Sequence, residues 1–482
     1  MSLLTALVTP NNASAITLDE AVCVYALQCP SAQQLRLSYV NSELEYENYK
    51  KGFLPSMVMS LSPVNFNRSL RLLQNYETGE HNYVTEYSYT GFVNILISQK
   101  IGIMGGTIQA GSNLSFLREF RANRNNYNTS PLFLSYSQPL RGGHKSYLLT
   151  HNIRYLAHNI SRKSFCQSLS TVQQEILSLY LSAYTAKLRM DIAEHDIHTG
   201  DTLLYFAKLK LDNGYITQYE YNKIELQQLN ARMAAQQARH NMENLLADLT
   251  VKLGIEQAER NMTVDAPDAT QLPAMLDYNI IMELVRQNNP QRLNIELQCK
   301  QAEFDRYNNR MQTRMNGNIS LSYGLNQYAS TLIDAYRHLD GRQSVSVTFT
   351  VPLFDWGVSS NKRKIADNNY KSTVIQANEK ITEFENTIRK QTLTYNMAQE
   401  NFIIAKRSLQ LAREQYRLAA IRFEKGKISV YELIQAFDAQ QHALGSYVEG
   451  MSSVFSQYYA VRHLTLYDFI RRKPLMDIFA NI

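Results

Sequence analysis

The sequence predicts a mainly α-helical chain with a minority of β strands, laid out as two tandem repeats. One observation is a duplicated turn: "KLKLDNGYITQYEY" at 208–221 returns as "AIRFEKGKISVYEL" at 420–433, placing Gly214 and Gly426 212 residues apart. A second is strict alternation in "SVSVTFTV", where Val345, Val347, Phe349 and Val351 share one face and Ser344, Ser346, Thr348 and Thr350 the other. That is the period-2 signature of a strand with two unlike faces. The third is helix length: from His144 to Lys210 only Gly200 interrupts the helical reading, about 67 residues or about 100 Å. No compact domain accommodates such a helix.

Composition narrows the function classes. At 482 residues the chain has room for several ordinary domains, and its net charge of +6 is too modest to point to a nucleic-acid partner. Thirty-one tyrosines against a single tryptophan, with 19 glycines and 11 prolines, favour long helices plus an aromatic-rich sheet. The longest apolar runs fall short of the roughly 18 residues that a membrane helix needs. Cys23, Cys29, Cys166 and Cys299 lack zinc-type spacing, and Cys23 and Cys29, six apart on an expected helix, face different sides. All four are expected as unpaired thiols. The opening "MSLLTALVTPNNASA" has a cleavage-like Ala13-Ser14-Ala15 but no basic start and too short an apolar core for a secretory leader. Two readings stand here: a leader already removed, or a protein that stays inside. Cys23 is no lipoprotein anchor, because Asp19 and Glu20 precede it.

In chain order each half reads helix, strand, strand, very long helix, glycine turn, helix. "ALQCP" ending at Pro30 aligns with "RQNNP" ending at Pro290, and "SLS" at 60–62 with "SLS" at 320–322, both at an offset of 260. "SYSQPLRGG" at 135–143 then aligns with "TFTVPLFDW" at 348–356 at an offset of 213, so the first half holds 47 extra residues between Ser62 and Pro139. "FVNILIS" and "TIQAGSNLSF", flanking Gly105-Gly106, read as a further hairpin near 84–122, which either adds two strands to the sheet or folds over one end of it. The repeats are expected over 1–260 and 261–482. "NISLSYGL" alternates as well, with Ile319, Leu321, Tyr323 and Leu325 on one face. Such strands fit a soluble sandwich or a lipid-facing barrel.

The helix at 217–253 returns from the first turn, and a helix at 277–314 is expected to stack on its end. The second hairpin pairs 358–423 with 430–470, and the N-terminal helix at 18–50 is expected to complete that column. Ala231, Ala234, Ala235, Ala238, Met242, Leu245, Leu246 and Leu249 recur at helical spacing, small near the turn and larger away from it. Small residues let helices approach closely, in a curved bundle or in an ordinary coiled-coil hairpin alike.

Catalytic motifs are absent: there is no phosphate loop, nucleophile elbow or HExxH zinc motif. In "EHDIH", His195 and His198 flank Asp196 beside Glu194, but two imidazoles without a third ligand read as a solvated polar face. No enzyme, cofactor or metal site is expected.

With helices near 100 Å, two strand pairs, two repeats and a glycine turn in each, the chain resembles the TolC-type outer membrane efflux protein family. The resemblance covers nearly the whole chain and rests on the "NNP" helix, the "VPLFDWG" strand-to-helix exit and the "RFEKGKIS" turn. It implies a homotrimeric tube, with a β-barrel in outer membrane lipid and a helical barrel in the periplasm. The tube would be a passive exit duct, docked to a periplasmic adaptor (membrane fusion) protein and an inner-membrane transporter. Physics concurs on the trimer, because an open sheet in lipid leaves backbone groups unpaired. Four strands per chain would close in threes as a ring of twelve. The alternative from another class is a soluble coiled-coil scaffold, whose strands would bury their apolar faces against helices.

The resemblance also implies site residues. Lys210, Leu211, Gly214, Ile216 and Thr217, with Arg422, Phe423, Gly426, Ile428 and Ser429, match the tips that contact the adaptor. Glu432 and Gln435 stand where the family often carries an acidic ring, so one acid is kept, and three copies of Glu432 would favour cations. Glu220 matches a latch acid that faces a neighbouring hairpin, while Phe423 and Ile428 replace polar latch partners and point to an apolar latch. Phe354 and Trp356, just past a strand end, fit an aromatic belt at the membrane edge.

Overall fold

The computed structural model describes residues 15–74, 79, 81–255 and 263–479. The segment 1–14, which holds most of the leader question, lies outside them. The chain divides into a helical unit, 1–41 with 160–292 and 380–482, and a sheet unit, 42–159 with 293–379. In chain order the principal elements are α1 (Pro30–Lys51), β1 (Ser56–Gln74), β2 (His81–Ile101), β3 (Gly106–Glu119), β4 (Arg124–Pro139), α2 (Gly143–Asp212) and α3 (Gln218–Leu253). The second repeat follows with α4 (Tyr278–Asn288), α5 (Gln291–Gln312), β5 (Asn316–Ala329), β6 (Asp340–Thr350), α6 (Val358–Glu424) and α7 (Val430–Thr465).

The sheet unit is one antiparallel meander in the order β1-β2-β3-β4-β5-β6. The additional hairpin expected near 84–122 is β2–β3, and it lies within this sheet, between β1 and β4. Among the described residues this sheet thus has six strands where the repeat pattern alone gives four.

The helical unit begins where each repeat begins. Ala15–Ile16 and Thr263–Val264 form a short parallel pair, with Ile16 and Val264 both buried. Tyr180 of α2 donates its hydroxyl to the carbonyls of Ile16 at 2.8 Å and Asp265 at 2.9 Å, tying the pair to the long helix. The connection before α4 is strapped to α6, where Asn396 accepts from the Leu276 N–H at 3.0 Å and Tyr395 and Gln399 donate to the Pro273 carbonyl. Gly200 has a packing reason: a Cβ there would fall 1.8 Å from Oε1 of Gln228 on α3.

The stacking of helices differs from the expectation. The Gly254 cap of α3 abuts Pro30, the first residue of α1, where an added Cβ would lie 2.9 Å from the proline ring. The end of α7 meets the α4–α5 junction instead, where Asn288 and Asn289 donate to the Thr465 and Leu464 carbonyls at 3.1 and 2.7 Å. Each returning helix is therefore met by a helix of its own repeat, and the two ends of the chain do not trade partners. The helix expected at 277–314 is also broken at Asn289, whose extended backbone (ψ 133) fits the restriction that the following Pro290 imposes. Likewise α7 stops at Thr465, short of residue 470, because Leu466 turns left-handed.

A buried ionic knot closes the C-terminus. Arg462 donates to Asp468 at 3.1 Å and to Gln173 of α2 at 2.7 Å, while Tyr458 also donates to Asp468. Removing Asp468 would strand a buried guanidinium, a loss of about 3–5 kcal/mol by the usual cost of an unpaired buried charge.

Candidate functional site

Both tips are built by the same two local devices. At the first, Gly214 takes φ +74°, its N–H bonds the Leu211 carbonyl at 2.9 Å, and the Tyr215 N–H reaches the Lys210 carbonyl at 2.8 Å. At the second, Gly426 takes φ +68°, with matching bonds from Gly426 to Phe423 and from Lys427 to Arg422, both 2.9 Å. These close the last carbonyls of each long helix, and glycine avoids the Cβ penalty of the left-handed region.

The returning helices then start on reciprocal caps. Thr217 accepts from the Glu220 N–H at 3.2 Å while the Glu220 carboxylate accepts from the Thr217 N–H at 2.8 Å. Ser429 and Glu432 do the same at 3.3 and 2.8 Å. The box satisfies N–H groups that a helix start leaves unpaired. The bond from the Thr217 backbone, with that from its hydroxyl, holds the Glu220 carboxyl below the ordinary glutamate range. So the structure places Glu220 and Glu432, the two acids singled out in the sequence, on the first turns of their own helices.

The two hairpins share one apolar cluster. Phe423, only 1% exposed, packs with Leu203, Ala207 and Ile224 of the first hairpin and Val430 and Leu433 of the second, with Ile216 and Ile428 at its edge. Lys210 crosses between hairpins: its ammonium lies 3.9 Å from the centre of the Phe423 ring and donates to the Phe423 carbonyl. Burial lowers the Lys210 pKa. Leu211 is half-buried, whereas Gly214, Thr217, Arg422, Gly426, Ser429, Glu432 and Gln435 are exposed. Sequence reasoning passed over Tyr215, Tyr219 and Tyr431, which are 81%, 77% and 61% exposed around the tips. Tyr431 accepts from Gln435 at 2.8 Å and lies under Lys223 of α3. The signal was there in "GYITQYEY", a tyrosine-rich turn without an apolar period to bury it.

The sheet has two unlike faces. One transverse row runs through Ser56, Ser98, Gln109, Ser135, Ser322 and Ser344, and the next through Met57, Ile97, Ala110, Leu134, Tyr323 and Gln343. On the apolar face Met57, Met59, Leu61, Leu134, Val345 and Val347 are all at least half exposed. Aromatic rings gather toward the end away from the helices, with Phe66 on Tyr87 at 5.3 Å, Tyr89 on Phe116 at 5.6 Å and Phe116 on Tyr127 at 4.9 Å. Tyr127 and Tyr136 sit nine residues apart on β4, about 30 Å of strand, which at a tilt of 35–45° spans about 21–25 Å. That is the height of a lipid-facing band between two aromatic girdles. Past β6, Phe354 and Trp356 stack edge to face at 4.6 Å and are 74% and 87% exposed. Asp355 between them caps α6 through the Ser359 N–H at 2.7 Å.

The "EHDIH" residues are held by ordinary helix contacts. Glu194 pairs with Arg239 at 2.9 Å and Asp196 accepts from Gln441 at 2.8 Å. His195 and His198 are exposed, and among the described residues no cluster of three metal-ligating side chains forms. The four cysteines are free thiols.

These features define a tandem-repeat chain with one unit of long helical hairpins and one unit built on a two-faced antiparallel sheet. Residues 282–462 match the family described as outer membrane efflux protein. No curated protein sequence matches the chain. Among solved structures it is similar to a membrane protein from Pseudomonas aeruginosa (13% identity, TM-score 0.67, covering 93% of this chain and 90% of that one). It is similar also to the outer membrane protein VceC of Vibrio cholerae (11%, 0.64, 93% and 95%) and to the CmeC outer membrane channel of Campylobacter jejuni (14%, 0.65, 93% and 85%). The chain has the fold of these structures, the TolC-type fold, and the sequence match to the outer membrane efflux protein family is confined to residues 282–462.

Proposed function

We propose that three copies of this chain form a passive exit duct of a tripartite efflux or secretion system, set in the outer membrane and reaching into the periplasm. The observation that carries this reading is the exposed apolar face of the sheet, bounded by aromatic rings and backed by a face of serines, threonines and asparagines. A soluble scaffold would bury that face against helices. Exposed, it fits lipid on one side and a water-filled bore on the other, and its unpaired strand edges require neighbouring copies.

The tips are the docking end in this reading. Lys210, Leu211, Gly214, Ile216 and Thr217, with Arg422, Phe423, Gly426, Ile428 and Ser429, set the shape that a periplasmic adaptor meets, and the exposed Tyr215 and Tyr219 add contact area. An inner-membrane transporter supplies the energy. Glu432, Gln435 and Glu220 set the charge of the entrance, and Phe354 and Trp356 mark the membrane edge. Purified in detergent, the protein should run as a trimer. A monodisperse monomer in detergent-free buffer would contradict the reading.

A further inference from the structure

The two repeats are unequal in the sheet. In the second, β5 and β6 pair directly; in the first, β2 and β3 separate β1 from β4. An inserted hairpin has two fates: it can lie as a lid or plug, or it can become part of the wall. The face chemistry distinguishes them, because a plug in water would be polar on both sides. Here β2 and β3 alternate like the rest of the sheet, with Ile95, Ile97 and Ile108 on the apolar face and Asn94, Ser98 and Gln109 on the polar one.

The register adds a second, independent observation. The row from Ser56 lies progressively farther from the helix-side strand ends: three residues short of Ile101 and of Gly106, four short of Pro139, and six short of Asn316 and of Thr350. Taking the helix-side ends as level at the rim of a barrel, six residues of drift over five strand steps is about 20 Å along the strands against about 24 Å across them. The corresponding tilt is about 40°, inside the 35–45° range that a closed barrel requires. The offset is three residues at both β2 and β3, between none at β1 and four at β4, so the hairpin fits the stagger of the strands that flank it. The free edges are β1 and β6, which run in opposite directions and therefore pair antiparallel between copies.

Resting on the trimer proposed above, we infer that the membrane barrel of this protein has eighteen strands, six from each copy, with β2–β3 acting as a pore-widening insert. At equal tilt the backbone radius is about 18 Å, against about 12 Å for a ring of twelve, and the enclosed area is about 2.25-fold larger. The cargo class that fits such a mouth is bulky and hydrated, a polar polymer in preference to a small amphiphile, since the row through Ser56, Ser98, Gln109 and Ser135 and the row through Ser60, Asn94, Asn113 and Ser130 are polar and only the row between them, through Val58, Leu96 and Phe133, is apolar.

Cryo-electron microscopy of the detergent-purified trimer tests this by counting strands in cross-section. Eighteen are expected; a trimer with a twelve-stranded ring and the hairpin folded elsewhere overturns the inference while leaving the exit-duct reading intact. Failure to trimerise at all overturns both. A variant with a short turn in place of residues 75–123, joining β1 to β4, adds a functional measure. The largest polyethylene glycol entering from the strand-loop side should fall by at least about 1.5-fold in radius; an unchanged cutoff also counts against the insert. If that variant fails to assemble, the strand count on the natural protein still decides.

Discussion

The two tips share a backbone and differ in what they exchange. Gly214 and Gly426, Thr217 and Ser429, and Glu220 and Glu432 occupy matched places with bond lengths within 0.1 Å of each other. Three and four residues before the glycine the match ends: Leu211 is half-buried where Phe423 is fully buried, and Lys210 is drawn onto the other hairpin where Arg422 stays exposed. The turns are thus dictated locally, by helix ends that must satisfy their own backbone. The junction is dictated by the neighbour, and there the repeats have taken complementary roles, one giving the cation and one the ring.

The largest break in this comparison should come from Phe423→Ala. Truncating a fully buried aromatic costs about 3–5 kcal/mol, so amide exchange around the second tip should accelerate by at least about 100-fold. Leu211→Ala, its matched counterpart, should do far less, and equal effects would mean that the junction is symmetric after all. A smaller difference separates Lys210→Met from Arg422→Met. The first loses a cation–π contact and a hydrogen bond, together about 1–2 kcal/mol, while the second should stay within about 0.5 kcal/mol; thermal unfolding of the two variants in parallel would show the gap or its absence.

The caps should respond alike. Thr217→Ala and Ser429→Ala are each expected to cost about 1 kcal/mol, and a difference well beyond that would unseat the idea of identical local devices. Acid gives the first cap a signature. Because Glu220 is held below its ordinary range, its contribution is present above the unfolded glutamate pKa and is lost as pH falls through the lowered folded value. Protection of the first-tip amides, expressed relative to their intrinsic exchange rates, should therefore fall at acid pH in the natural protein, and Glu220→Gln should remove that part of the dependence.

Much of this was legible in the sequence because it is local. Glycine turns, Thr-x-x-Glu and Ser-x-x-Glu boxes and period-2 strands declare themselves over a few residues, and the TolC-type fold followed from their order. What was not legible depends on distance. Nothing within α1 or α4 says which returning helix each will meet, and the expected exchange between repeats was wrong because Pro30 and Pro290 mark breaks without naming partners. The insert was visible as extra length with hairpin character, but only its register with β1 and β4 makes it part of the same sheet. Lys210 looked like a surface residue, since a cation settling on a ring 213 residues away leaves no pattern in the sequence.

The central claim, that copies of this chain surround a water-filled bore, is tested most directly by the conductance of the purified protein in planar lipid bilayers. Discrete, reproducible ion-conducting steps are predicted from the trimer, with Glu432→Gln altering their block by multivalent cations. A protein that is folded and trimeric in detergent yet never conducts, in the natural form or with the junction loosened by Phe423→Ala, would contradict it.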